Sequence, residues 1–306
     1  MISRRLVMVT GRKVISAGLR IAGIPILVRS VFPFEAPVFP REYASFTSGT
    51  GSGSGEAVRV DLVAGNPADA ADGEMVADTG PWCLYRRNET RVILWSGPDK
   101  SQPFWAASFD AGLRNIKVWC GEKCLARRTD GLRIRNPFRY PLDQLLLMFV
   151  LARRGQCIVH AAGLVSGTRC VVAAGRSGAG KSTLSRLWAE RHGQDSLLSD
   201  DRLILGPGVV HGTPWPGELG AAANECRIPS AVVILEKAAG SELVPIPPRE
   251  AVERLIPVTS VLWFEPEYLT QALAGMEKAM SEVPAYVFRF TPDHRAVTEL
   301  GKVFPV

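Results

Sequence analysis

Apolar positions follow two regimes along the chain. Between residues 57 and 135 they come in short runs cut by turns. Residues 58–63 alternate, 83–85 and 91–95 flank a polar Asn88-Glu89 turn, and 116–119 stop before Gly121. Thr129-Asp130-Gly131 sits between Leu125 and residues 132–134, as the tip of a hairpin does. From residue 141 the runs lengthen. Residues 141–154 are apolar nearly all round, with Pro141 suited to a first helical turn, Arg153 and Arg154 to the negative C-terminal end, and Gly155 to the stop. That predicts a buried helix. Two strands follow at 157–159 and 170–173, joined across Ser166-Gly167-Thr168. Then come a helix at 182–191, a strand near 196–199, a Pro/Gly-rich loop at 206–218 and a strand at 231–235. The chain closes with a helix at 249–256, helical segments within 258–282, a strand at 286–290 and a helix near 294–303. The order reads as a β-rich part followed by an α/β part.

The first 56 residues read differently. Residues 48–55 are Ser, Gly and Thr only, which is a flexible stretch. Before it, residues 24–28 are apolar and residues 19–21 alternate, which suits an edge strand carrying Pro25. The expected organisation is therefore an arm at 1–56, a β-rich domain at 57–135 and an α/β domain at 136–306.

Charge changes the picture once it is located. The 306 residues carry a formal charge of +6. Arg4, Arg5, Arg12, Lys13, Arg20 and Arg29 lie in the first 34 residues, which contain no Asp or Glu. These six account for the whole excess, and the rest of the chain is balanced, so bulk charge gives no argument for nucleic acid. The same leader is also open to reading as a transit peptide. Trp82, Trp95, Trp105 and Trp119 lie near several arginines; aromatic packing in a small β domain is the preferred reading over a base-stacking surface. No apolar run approaches the roughly 18 residues of a membrane span. The six cysteines are scattered, and Cys120-Gly-Glu-Lys-Cys124 has no second pair at zinc spacing. Reduced thiols and a cytoplasmic location are expected.

Local spacing carries the chemistry. Gly175-Arg-Ser-Gly-Ala-Gly-Lys181-Ser182 fits the G-x-x-x-x-G-K-[ST] phosphate loop, between an apolar strand and a helix. Gly175, Gly178 and Gly180 allow tight turns, and the backbone of Ser177, Ala179 and Thr183 aims N–H groups at phosphate oxygens. Lys181 is expected on the β- and γ-phosphates of ATP, and the Ser182 hydroxyl on Mg²⁺. The next strand ends in Ser199-Asp200-Asp201. Lying parallel to the strand before the loop, it would turn both aspartates to the γ-phosphate, one for the metal and one for a proton. Residues 232–236 read as a core strand, because their acid is Glu236 rather than Asp.

Together, Val159-His160-Ala-Ala-Gly163, the phosphate loop through Thr183, and Leu198-Ser-Asp200-Asp201 resemble the catalytic domain of the HPr kinase/phosphorylase family. The segment Gly212-Thr-Pro-Trp-Pro-Gly-Glu218 is similar to its HPr-kinase-related branch, which includes lasso-peptide tailoring kinases. The resemblance spans residues 136–306. It implies an α/β P-loop kinase of the HPr kinase/PEP carboxykinase-like type, preceded by a smaller β-rich domain. It also implies ATP and Mg²⁺ as cofactors, and a peptide or small protein carrying a serine as acceptor. It places Lys181 on the phosphates, Ser182, Asp201 and Glu218 with the metal, Asp200 as proton acceptor and His160 beside the phosphates. Self-association follows from ring-forming relatives. Thr183 stands where the bifunctional enzymes usually carry Glu, and no Glu-x-Arg-Gly-x-Gly stretch follows the aspartates, so phosphorylase activity is not expected. A nucleotide-gated peptide carrier and a kinase of a small hydroxylated metabolite remain open alternatives.

Overall fold

The computed structural model describes residues 14–49, 57–97 and 102–304. The expectations for Arg4, Arg5, Arg12 and Lys13, and for the Gly/Ser stretch from residue 50 to 55, lie outside the described residues. The described chain is mixed α/β and divides into two compact units. One takes residues up to 19 with 25–39 and 48–138, and the other takes 20–24, 40–47 and residues from 139 onward.

The first unit is built on strands. They are β1 (Ile15–Ile21), β2 (Ile24–Ser30), β3 (Thr47–Ser48), β4 (Val58–Ala64), β5 (Glu74–Asp78), β6 (Trp82–Arg87), β7 (Thr90–Trp95), β8 (Trp105–Phe109) and β9 (Asn115–Cys120). They form one sheet in the order β3-β1-β2-β4-β9-β8-β7-β6-β5. β10 (Leu125–Arg128) and β11 (Gly131–Ile134) make the predicted hairpin, with Arg128 opposite Gly131. Within the expected arm, residues 15–21 and 24–30 are thus sheet: β2 runs parallel to β4, and Arg29 makes a two-toothed ion pair with Asp61 at 2.7 Å across that pairing. The tryptophans pack. Trp95 and Trp105 stack at 6.0 Å, Trp105 is buried, and Lys117 covers the Trp119 ring.

The second unit contains β12 (Cys157–Ser166), β13 (Arg169–Ala174), β14 (Leu197–Ser199), β15 (Arg202–Gly206), β16 (Val209–His211), β17 (Cys226–Lys237), β18 (Glu242–Ile246), β19 (Thr259–Ser260) and β20 (Ala285–Phe290). Its helices are α1 (Leu142–Ala152), α2 (Lys181–His192), α3 (Pro248–Leu255), α4 (Pro266–Glu282) and α5 (His294–Gly301). β13, β17 and β20 run parallel, in that order. Both of their faces are covered, which explains why these strands are apolar runs rather than alternations. Val171, Ala173, Val233, Leu235, Phe288 and Phe290 pack with Leu184 and Trp188 of α2 and Val297 and Leu300 of α5. Trp188 anchors this layer: its ring is buried and its N–H donates to the carbonyl of Val165 at 3.3 Å. α1 is buried nearly all round, as its composition predicts, and packs edge-to-face through Phe149 on Tyr268 of α4 at 5.0 Å.

Three expectations change. The segment 206–218 is not all loop, because Val209–His211 pairs with Arg202–Gly206 in a hairpin. The strand at 231–235 extends to Cys226–Lys237, and Glu242–Ile246 is a further strand. These segments are mixed in polarity because each lies at a sheet margin or has one open face, which blurs the alternation.

β12 changes partners along its length. Its first half, from Cys157 to His160, pairs with β15, and its second half, from Ala161 to Ser166, pairs with β13. β14 joins the second half with a register shift between Gly163 and Leu164. The crossing is tight at Gly163: a Cβ there would sit 2.9 Å from the Cβ of Leu198, 3.1 Å from Leu203 and 3.3 Å from the sulfur of Cys170. Gly163→Ala should therefore cost about 1–3 kcal/mol of stability through overpacking, read as a lower urea midpoint. An unchanged midpoint would show that the strands have room to separate.

Candidate functional site

The changeover in β12 is where the sequence-predicted residues meet. β13 is antiparallel to β12, and β14 is also antiparallel to β12, so β13 and β14 point the same way. The chain leaves β13 at Ala174, opposite Ala161, and leaves β14 at Ser199, opposite Gly163. Both C-terminal ends thus open at one edge, beside His160. This is the parallel arrangement that the paired-aspartate reading requires.

The phosphate loop fills this edge. Gly175 donates its N–H back to the carbonyl of His160 at 3.5 Å, and Ala179 donates to the carbonyl of Arg176. Gly178 and Gly180 take positive φ, +80° and +106°, which only glycine adopts without strain. At Gly180 a Cβ would also lie 2.7 Å from the Phe290 ring, so the loop is seated directly on the core. Arg176, Ser177 and Gly178 are exposed at its tip. Lys181 opens α2, with Ser182 and Thr183 next in the first turn, where unpaired N–H groups and the helix dipole favour an anion. Its ammonium donates to the carbonyls of Gly175 at 2.7 Å and Arg176 at 3.2 Å. Burial lowers the Lys181 pKa from its ordinary value, and Asp201 opposes that shift.

The two aspartates separate at a turn. The Ser199 hydroxyl, fully buried, accepts from the N–H groups of Asp201 and Arg202. Asp201 turns toward the phosphate loop: one oxygen lies 3.0 Å from Nε2 of His160 and the other 3.4 Å from Nε of Arg202. Arg202 stands opposite His160 across the β12–β15 pairing. Arg202 is a site neighbour that spacing alone did not flag; its register opposite His160 is the only signal, and register is a tertiary fact. Asp200 takes different partners. It is buried, and its carboxylate accepts from the N–H groups of Gly217 at 2.9 Å and Leu219 at 2.6 Å. Asp200 therefore holds a loop, a role that spacing did not flag. Each of its oxygens keeps a second lone pair beyond those two bonds.

Those two amides flank Glu218, which is exposed. Gly217 packs so closely that a Cβ on it would lie 3.0 Å from the Asp200 carboxylate and 3.1 Å from the Asp201 Cβ. The backbone carrying Glu218 is therefore fixed beside both aspartates.

No protein-family model matches the chain, and no curated protein does.

Ser182, Asp201 and Glu218 are all oxygen donors, the chemistry that Mg²⁺ takes, and Mg²⁺ in nucleotide sites completes its shell with phosphate oxygens and water. Among the described residues no cluster of three His, Cys, Asp or Glu side chains encloses an ion.

Asp201 carries a pH signature. The hydrogen bond from His160 holds its carboxyl below the usual carboxylate range; burial opposes this, and the charges of His160, Arg202 and Lys181 reinforce it. A depressed folded-state value stabilises the fold above the unfolded value of about 3.9, and the contribution disappears as pH falls through the lower folded value. The stability gap between wild type and Asp201→Asn should narrow as pH falls below about 4. Urea titrations across that range measure it, and a gap that widened with acid would contradict the His160–Asp201 pairing.

Proposed function

We propose that this protein is an ATP-dependent kinase with a P-loop catalytic domain of the HPr kinase-like type, transferring the γ-phosphate to a serine hydroxyl of a peptide or small protein. The observation that carries the reading is the convergence of a complete phosphate loop, His160 and the Asp200-Asp201 turn at one sheet edge. One metal-holding carboxylate is common to P-loop proteins generally; a second, able to take a proton, is what transfer to a hydroxyl adds.

In this reading the N–H groups of residues 177–183 and the Lys181 ammonium bind the β- and γ-phosphates. Ser182, Asp201 and Glu218 would hold Mg²⁺, which when bound neutralises charge on the phosphates. The acceptor oxygen attacks the γ-phosphorus in line, the bond to the β-phosphate oxygen breaks, and ADP leaves. Asp200, pinned by two amides, takes the hydroxyl proton on a remaining lone pair. The pinning matters because a positioned carboxylate recovers in proximity what it lacks in basicity. His160 orients Asp201 through the 3.0 Å contact. All six cysteines are free thiols, which suits the cytoplasm, where ATP is plentiful.

Asp200→Asn keeps one acceptor oxygen for the loop and loses the proton acceptor. It should retain ATP binding and lose transfer by at least about 100-fold, read as phosphopeptide by mass spectrometry. Transfer at the wild-type rate would remove Asp200 from the chemistry. Lys181→Ala should lose most phosphate affinity by calorimetry, and undiminished ATP binding would overturn the loop assignment.

A further inference from the structure

The loop that carries Glu218 has a third anchor, at a residue with no place in any phosphate-binding motif. Asp143 lies in the first turn of α1 and is fully buried. One of its oxygens accepts from the backbone N–H of Gln144 at 2.7 Å. The other accepts from the indole N–H of Trp215 at 2.9 Å and from the hydroxyl of Tyr43. Trp215 is buried between Pro214 and Pro216, in the middle of the loop. Burial, opposed by its donors, leaves the Asp143 carboxyl raised to about 6, so at neutral pH it is the acceptor-only group that three donors need.

The anchors act in series. The Thr213 hydroxyl donates to the carbonyl of Arg202 at 2.6 Å, Trp215 is held by Asp143, and the amides of Gly217 and Leu219 are held by Asp200. Segment 40–47, which supplies Tyr43, also binds the far side of the loop. Ser45 donates to the carbonyl of Ala222 at 3.2 Å, and Asn224 donates to the carbonyl of Ser45 at 3.0 Å. A buried carboxylate in an apolar helix is costly unless its bonds do something in return. Here they fix the one indole that ties the loop to α1.

We infer that Asp143 is a positioning residue for phosphate transfer: through Trp215 it sets the 212–219 loop, and with it the orientation of Asp200 and the placement of Glu218. The inference rests on the kinase reading for its catalytic consequence, but not for its structural one. Two readouts on the full chain separate them, namely amide hydrogen exchange and transfer kinetics at neutral pH.

Asp143→Leu removes every acceptor oxygen, whereas Asp143→Asn keeps one for Trp215. In Asp143→Leu, exchange across 212–219 should rise about tenfold or more while the 170–183 segment stays as in wild type. The kcat should fall about tenfold or more with ATP affinity held within about twofold. Asp143→Asn should recover most of both. Should Asp143→Leu fail to fold, Trp215→Phe removes the donor instead and should give the same local pattern. A loop as protected as wild type in either variant overturns the inference, and so does a rise in exchange spread evenly over the unit. If the wild-type protein transfers no phosphate to any acceptor, the kinase reading fails, and the exchange result still decides whether Asp143 holds the loop.

Discussion

The second unit depends on the close crossing at Gly163. One strand, β12, serves two pairings in succession, and the handover leaves no space for a side chain between Leu198, Leu203 and Cys170. Because β13 and β14 both pair antiparallel with β12, their ends lie one strand apart and point the same way. The phosphate loop leaves one end and the Asp200-Asp201 turn leaves the other. His160 sits on the shared strand, so it neighbours both. The site exists because one strand is common to two pairings, and the apolar layer of α2 and α5 holds that strand's partners in place.

Adjacent carboxylates at such an edge repel each other unless they are directed apart. The Ser199 hydroxyl makes the turn that does this, giving Asp201 to His160 and Arg202 and Asp200 to two backbone amides. Each carboxylate meets a different kind of partner, one the side chains of His160 and Arg202 and the other backbone N–H dipoles. The loop from Gly212 to Glu218 is thereby tied into the site's electrostatics.

Much of this was legible in the residues. The phosphate loop, its flanking strand and helix, the buried helix at 142–152 and the hairpin at 125–134 follow from local spacing and turn chemistry. The strands at 202–206, 209–211 and 242–246 were not legible, because their partners supply the regularity that their own polarity lacks. Of the basic residues in the first 34, Arg29 belongs to an ion pair within a sheet, which composition could not show. Nothing local singles out Asp143; only its burial beside Trp215 and Tyr43 marks it out.

By itself the sequence determined what is set within a few residues of chain: where backbone turns are free, where a helix begins after a glycine-rich turn, and which strands are buried on both faces. Those follow from sterics and solvation over short distances. The tertiary structure alone decided which way each aspartate points, that Arg202 stands across from His160, and that the Glu218 loop is anchored to α1. These depend on pairing register and on close approach between segments tens of residues apart, and no local pattern of side chains encodes them.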